Sequence, residues 1–295
     1  ATEATTKYFL IQTTAAAMIL FAGTFNAWQS GQWTIIQPMH PASTVLLTLA
    51  VMMKLGVAPT HAWYPEVLQG STITTALLIS TWQKLAPLSF LYMTMNTLDP
   101  KMLLLLGLLS ALLGGWTGLN QTQTRKILAF SSIAHMGWLT TALAINPNLT
   151  TITLLIYLIM TTTVFLMLNT TTTKTLLDLS LVGTYAPTMQ IMILLTMLSL
   201  GGLPPLTGFL PKWLIMKELI MMNMLSFSTA LLLSSLPSLF FYVRMTYLTA
   251  LTTAPSTTNT EHKWRLKMYP STLLPTTMAL TLLSLPLTPM LYNTI

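Results

Sequence analysis

Three lysines and one histidine stand where an ordinary apolar segment would have none: Lys54 in TVLLTLAVMMKLGVAP, Lys84 in ITTALLISTWQKLAPLSFLYMTM, Lys212 in LSLGGLPPLTGFLPKW and His135 in SSIAHMGW. A lysine at a lipid-exposed helix centre costs about 2.5–3.5 kcal/mol even on the lenient insertion scale. Lys84 lies about eleven residues from each end of its run, roughly 16 Å from either surface at the helical rise. Its stem reaches only about 6 Å, too short to lift the ammonium to the headgroups. These amines must therefore face protein or water. Desolvation acts against the charged form, so an amine in such a place can exchange protons near neutral pH. Two uses remain open: a proton or ion route, and fixed hydrogen bonds that hold helices together. His135 can likewise serve as a relay, accepting and donating at once, or bond to a Ser or Thr.

Two of the lysines adjoin breaks in their own segments. KLGVAPTHAWYPE interrupts the run 42–67, and GGLPPLTGFLPK interrupts the run 186–222. The interruptions share a pattern: Gly56-x-x-Pro59-x-x-Ala62-Trp63-x-Pro65-Glu66 matches Gly202-x-x-Pro205-x-x-Gly208-Phe209-x-Pro211-Lys212 at a constant offset of 146. Gly201 and Pro204 add to the second break, and His61 lies inside the first as a gate or a cap. Glycine and proline at these points predict two discontinuous helices with unpaired carbonyls at membrane depth, where water or a cation can bind.

The elements that must carry these residues are membrane helices. Of 295 residues 53% are hydrophobic and 6% charged, with a mean hydropathy of +0.67. So few charges cannot cover a water-soluble surface of this size. About nine apolar runs near the ~20 residues of a span fall at 8–27, 42–67, 72–95, 102–119, 127–145, 150–168, 186–222, 226–248 and 271–292. The predicted fold is an all-α polytopic membrane protein forming a single transmembrane domain over 1–295. Its approximate halves are 1–95 and 102–248, followed by a C-terminal span at 271–292. Only 249–270 reads as soluble.

Four complete spans lie between the two broken runs, so the second comes five crossings after the first and points in the opposite direction, the pattern of an inverted repeat. If instead GGLPP were a turn between two spans, the charge distribution would differ. With each broken run counted as one crossing, the side of Ala1 holds Lys7, Arg125, Lys126, Lys174, Lys263, Arg265 and Lys267, with Arg244 close by; the other side holds Lys101 alone. That seven-to-one bias obeys the positive-inside rule, whereas a turn would leave four against four.

The net charge of +7 is scattered singly between apolar runs, which is not the footprint of a nucleic-acid binder. Cysteine is absent, so disulfides, thiolate metal sites and Cys nucleophiles are excluded. No phosphate loop, dinucleotide fingerprint or zinc-protease motif occurs, and bis-histidine haem ligation would need a second intramembrane histidine beside His135. Glu66 either pairs with a lysine or marks a helix mouth; Asp99, Asp178 and Glu261 read as loop charges, as do His40 and His262. The opening ATEATTKYF, without methionine, suggests an N-terminally incomplete sequence.

GQWT, MKLGVAPTHAWYPEVLQG, TWQKLAP, GLNQTQTRKILAFSSIAHMGW and LSLGGLPPLTGFLPKW together resemble the subunit-2 family of mitochondrial NADH–ubiquinone oxidoreductase, respiratory complex I. The resemblance spans nearly the whole chain and is weakest near 249–270. It implies an antiporter-like fold of two inverted five-helix bundles with one broken helix in each. It further implies that Lys54 is the lysine of the first broken helix, Lys84 the bridging lysine and Lys212 the lysine of the second, with His135 on the same polar axis. Family members carry two further spans upstream, including an intramembrane glutamate that partners the first lysine; neither is found in this sequence.

The function this resemblance implies is proton translocation from matrix to intermembrane space through a lysine, histidine and water axis in the mitochondrial inner membrane. The chain itself is expected to bind no cofactor; NADH, FMN, iron–sulfur clusters and ubiquinone belong elsewhere in the complex. Expected partners are other membrane-arm subunits, including a neighbouring antiporter-like subunit and small core subunits, accessory subunits, and phospholipid such as cardiolipin, with no nucleic acid. The alternatives are a free-standing cation/proton antiporter and a purely structural membrane subunit.

Overall fold

The computed structural model describes residues 2–34, 40–251 and 271–287. The described chain is helical throughout: α1 Thr2–Ser30, α2 Pro41–Leu55, α3 Trp63–Gly70, α4 Ile73–Ser80, α5 Trp82–Thr94, α6 Pro100–Gly118, α7 Thr124–Ile145, α8 Pro147–Thr171, α9 Leu176–Tyr185, α10 Pro187–Gly201, α11 Phe209–Met221, α12 Leu225–Leu251 and α13 Leu273–Leu283. Four of them, α2, α6, α8 and α10, open on proline in the first turn, where its missing N–H costs nothing. Five, namely α1, α6, α7, α8 and α12, are long and apolar enough to cross a membrane unaided.

Both expected discontinuities are present. Helix α2 ends at Gly56 and α10 at Gly202, each in the left-handed conformation (φ 71° and 80°) that glycine adopts without strain. The caps are the same motif. Gly56 N–H donates to Met53 O and Val57 N–H to Met52 O, while Gly202 N–H donates to Ser199 O and Leu203 N–H to Leu198 O. After each break the chain re-enters a helix, α3 or α11, with Pro65 or Pro211 as its third residue. A first-turn N–H has no partner within its helix, so neither proline costs a hydrogen bond.

A third discontinuity was not foreseen. The run 72–95, expected to be one bridging span, is divided at Thr81 into α4 and α5. The Lys84 amide reaches back only three residues, to Thr81 O at 3.3 Å, and Pro87 has no N–H to return to Gln83. The Thr81 hydroxyl donates to Leu77 O at 2.7 Å, helping to close α4. Lys84 is thus a first-turn residue of α5, not the midpoint of a continuous helix.

The segment 169–185, expected to be a loop, contains α9. Its Thr175 hydroxyl accepts from Asp178 N–H while the Asp178 carboxylate accepts from Thr175 N–H, a capping box that the loop-charge reading of Asp178 missed. The backbone N–H groups of Thr175 and Lys174 hold the Asp178 carboxyl below the usual carboxylate range. Of the expected span 271–292, α13 and a short 3₁₀ turn at Leu285–Leu287 lie within the described residues. Residues 288–295 lie outside them, as does 252–270 with Lys263, Arg265 and Lys267.

Helix α7 forms the centre, packed by α3, α4, α6, α8, α11 and α12. Its pairing with α6 is a near-contact of backbones. A Cβ on Gly137 would stand 2.6 Å from Gly107 O and 2.3 Å from Ser110 Oγ, the small-residue packing by which helices associate without a hydrophobic drive in lipid. Loop contacts respect alternating crossings. On the side of the N-terminus Lys7 meets Glu66, Arg125 meets Ser71 O, Arg244 meets Leu119 O and Thr124 meets Lys174 O. On the opposite side Asn26 receives hydrogen bonds from His40 and Ser43.

Candidate functional site

The site lies between the breaks, along the face of α7 that carries Ser131, Ser132, His135 and Trp138. Lys84 enters from α5 and is 2% exposed. Its Nζ donates to the Tyr157 hydroxyl at 2.9 Å, and that hydroxyl donates onward to the Ser80 carbonyl at 3.0 Å. Two aromatic faces flank the ammonium, with the Tyr64 centroid at 4.9 Å and the Tyr157 centroid at 5.0 Å. Such contacts replace part of the hydration that burial removes.

Lys212 enters from α11. Its Nζ donates to Gly201 O at 2.9 Å, a C-terminal carbonyl of α10 on the other side of the break. The negative end of the α10 dipole supports a cation there. The Trp138 ring lies 5.9 Å from the same amine. Gly202 leaves the stem its room, since a Cβ would sit 2.9 Å from Nζ and 3.1 Å from Cδ.

Between the two lysines His135 faces Tyr157, with ring centroids 5.8 Å apart, and its imidazole lies against the Leu200 backbone within the electrostatic reach of both amines. His135, Tyr157, Trp138, Thr153, Pro211 and Lys212 line a cavity of about 20 Å³. That is room for one water, which needs at least about 10–15 Å³ and several polar partners. The Tyr64 and Tyr242 hydroxyls are buried beside Ser132 and Ser131, and neither makes a hydrogen bond of normal geometry among the described residues.

The structure therefore brings Lys84, His135 and Lys212 into one cluster. Lys54 is half-buried in the last turn of α2, with no side-chain hydrogen bond or ion pair among the described residues. Of the break residues, Gly56, Gly201, Gly202, Pro65 and Pro211 shape the helix ends. Pro59, Pro204 and Pro205 occupy the unwound segments. The His61 Nδ1 is buried without a partner among the described residues. Glu66 settles on Lys7 at 2.7 Å on the exposed rim, away from the buried amines.

Residues 1–237 match the family model described as NADH:quinone oxidoreductase/Mrp antiporter, TM, and residues 239–292 match that of NADH dehydrogenase subunit 2 C-terminus. The chain is 49% identical over 292 residues to NADH-ubiquinone oxidoreductase chain 2 of Bos taurus, covering 99% of this chain and 84% of the relative. The corresponding whale protein, from Balaenoptera physalus, is 51% identical over the same length and shares. The chain belongs to the NADH-ubiquinone oxidoreductase chain 2 family. Respiratory complex I from Thermus thermophilus, solved with aureothin bound, contains a chain that superposes with a TM-score of 0.78 at 27% identity over 99% of this chain and 66% of that one. An Mrp complex from Dietzia gives 0.80 at 15% identity, again over 99% of this chain and 66% of that one, a likeness of fold alone.

Within this chain 2 framework, Tyr157 is the group that sequence reasoning missed. It was legible as a phenol in the interior of TITLLIYLIMTTT, a polar tip that needs a partner when buried. The Gly201 and Ser80 carbonyls left no signal of their own, because a backbone acceptor is released by conformation and not by residue type.

Proposed function

We propose that this chain is a proton-translocating, non-redox subunit of the membrane arm of respiratory NADH:ubiquinone oxidoreductase, in the mitochondrial inner membrane. Electron transfer among NADH, FMN, iron–sulfur clusters and ubiquinone takes place in other subunits. Here Lys84, His135 and Lys212 pass protons laterally between the two broken helices, with water completing the link, and Lys54 extends the axis toward the first break. The observation that carries this reading is the buried amine of Lys84 joined through Tyr157 to a water-sized cavity shared with His135 and Lys212. Two ammonium-bearing side chains at membrane depth, with a titratable imidazole between them, suit a relay whose occupancy changes by charge repulsion.

Neighbouring membrane-arm subunits, one of them antiporter-like, small core subunits, accessory subunits and phospholipid such as cardiolipin complete the setting. The test is the number of protons moved per NADH oxidised in coupled membranes. Lys84→Ala and Lys212→Met are expected to assemble with the complex and to lower that ratio. An unchanged ratio in both variants would overturn the proposal and leave a structural subunit.

A further inference from the structure

The hydroxyl of Tyr157 serves two groups at once. It accepts from Lys84 Nζ at 2.9 Å and donates to the Ser80 carbonyl at 3.0 Å. A phenol has one proton to give, so it can satisfy only one acceptor at a time. The second of these acceptors exists because of the break between α4 and α5. The Lys84 amide, which a continuous helix would aim at Ser80, bonds Thr81 O instead and leaves Ser80 O to the phenol. The Lys84 ammonium has donors only; the neutral amine has a lone pair and becomes an acceptor competing with Ser80.

We propose that Tyr157 is a positioning residue that couples the charge of Lys84 to the hydrogen bonding of the α4/α5 break. This rests on the proton-route reading of the buried lysines. While Lys84 is an ammonium, the hydroxyl hydrogen points to Ser80 O and closes the break. When the ammonium gives its proton to water, the hydroxyl turns its hydrogen to Nζ, and Ser80 O is released to take a water of its own. No bond of Tyr157 is made or lost to a proton; only the direction of its O–H changes. The ring borders the cavity that also holds His135 and Lys212, so the turn occurs beside the next carriers of the route. A carbonyl exchanging a fixed donor for water loosens the join between two half-helices, and the charge of Lys84 thereby acts on helix geometry.

The test is infrared difference spectroscopy of the intact complex during NADH turnover, with ring-labelled tyrosine identifying the phenol C–O stretch. Protons moved per NADH are measured on the same membranes. The expected result is a turnover-dependent tyrosine band in the unmodified complex that disappears in Tyr157→Phe and in Lys84→Ala. Tyr157→Phe lowers the proton ratio, and the double variant falls no lower than Lys84→Ala alone, since both changes cut one coupled pair. A hydroxyl that merely held two helices together would give no turnover band. Absence of a Tyr157-dependent band, its survival in Lys84→Ala, or an undiminished proton ratio in Tyr157→Phe would each overturn the proposal. If Tyr157→Phe does not assemble, the unmodified complex and Lys84→Ala decide by themselves: a labelled band lost with the lysine supports the coupling, and no band in the unmodified complex refutes it. A lowered ratio in Lys84→Ala without any tyrosine band removes the hydroxyl's role alone, whereas an unchanged ratio in Lys84→Ala removes the lysine route beneath it.

Discussion

The two broken helices share a backbone and differ in what bridges it. At the first break the indole N–H of Trp63 donates to Met53 O at 3.2 Å, a neutral bond from one half-helix to the other. At the second, the position matching Trp63 is Phe209, which has no donor, and Lys212 spans the gap to Gly201 O instead. The position matching Lys212 in the first repeat is Glu66, turned outward to Lys7; the position matching Lys54 in the second is Leu200. The first break thus separates its structural donor from its amine. At the second the buried amine is itself the donor across the gap, so the charge of Lys212 bears directly on how firmly α10 and α11 are joined. A repeated scaffold can fix where polar backbone is exposed while leaving each copy free to assign the proton carrier differently.

The sharpest way to break this comparison is at the small residue that follows each gap. A Cβ on Gly208 would lie 1.8 Å from Ser199 O and 2.9 Å from Met160 Cε, with backbone on one side that cannot yield. Gly208→Ala is expected to cost more than the ~1–3 kcal/mol of ordinary overpacking and to abolish accumulation of the subunit in the assembled complex. The matching residue of the first break is already Ala62, and it is exposed. Ala62→Gly should assemble normally, as read by native gel electrophoresis of both variants.

Next in size is the exchange of bridging donors. Lys212→Met removes a hydrogen bond from a charged donor, worth about 1.5–3 kcal/mol, and strands Gly201 O. Lys54→Met breaks no hydrogen bond or ion pair seen among the described residues and should leave thermal stability nearly unchanged. Thermal denaturation of the purified complex compares the two, and equal losses would mean that Lys54 has a structural partner of its own.

Both breaks were legible in the sequence because glycine and proline act locally. Gly56 and Gly202 sit where the chain needs positive φ, and Pro65 and Pro211 sit where a helix can restart. The inverted arrangement was legible from the odd number of crossings between the breaks, and charge ruled out a turn at GGLPP, since membrane insertion sorts lysine and arginine by side. The division at Thr81 was not. Threonine, glutamine and a proline six residues later are all tolerated inside membrane helices, and the Ser80 carbonyl freed at the break takes its donor from Tyr157, 77 residues away in sequence. Intramembrane position could be assigned to Lys84, His135 and Lys212 one at a time, whereas the meeting of His135 and Lys212 at one cavity, with Lys84 joined to it through Tyr157, is a property of how α5, α7, α8 and α11 pack. Lys54 was singled out by the same local signal, and among the described residues its side chain makes no hydrogen bond or ion pair.

A smaller effect follows from the neutral bridge. Trp63→Phe keeps an aromatic ring beside Tyr8 and Tyr64 but withdraws the donor to Met53 O, at a cost of about 0.5–1.5 kcal/mol. Because Trp63 carries no proton along the proposed route, the ratio of protons to NADH should hold while the melting temperature falls slightly. A fall in the ratio as well would show that the first break unites support and transport, as proposed for the second.

The smallest expected change tests whether the swap of Glu66 for Lys212 between the repeats has electrostatic weight of its own. Glu66 accepts from Lys7 at 2.7 Å, Lys7 also holds Glu3 at 2.6 Å, and all three side chains are substantially exposed. Ion pairs in such places contribute about 0–1 kcal/mol and weaken with salt. Glu66→Gln should therefore leave the proton ratio unchanged, and any stability difference should vanish between low and high ionic strength. A loss of pumping that persists in high salt would mean that the Glu66 carboxylate acts on the buried amines, and the two breaks would then carry complementary charges in one circuit instead of independent ones.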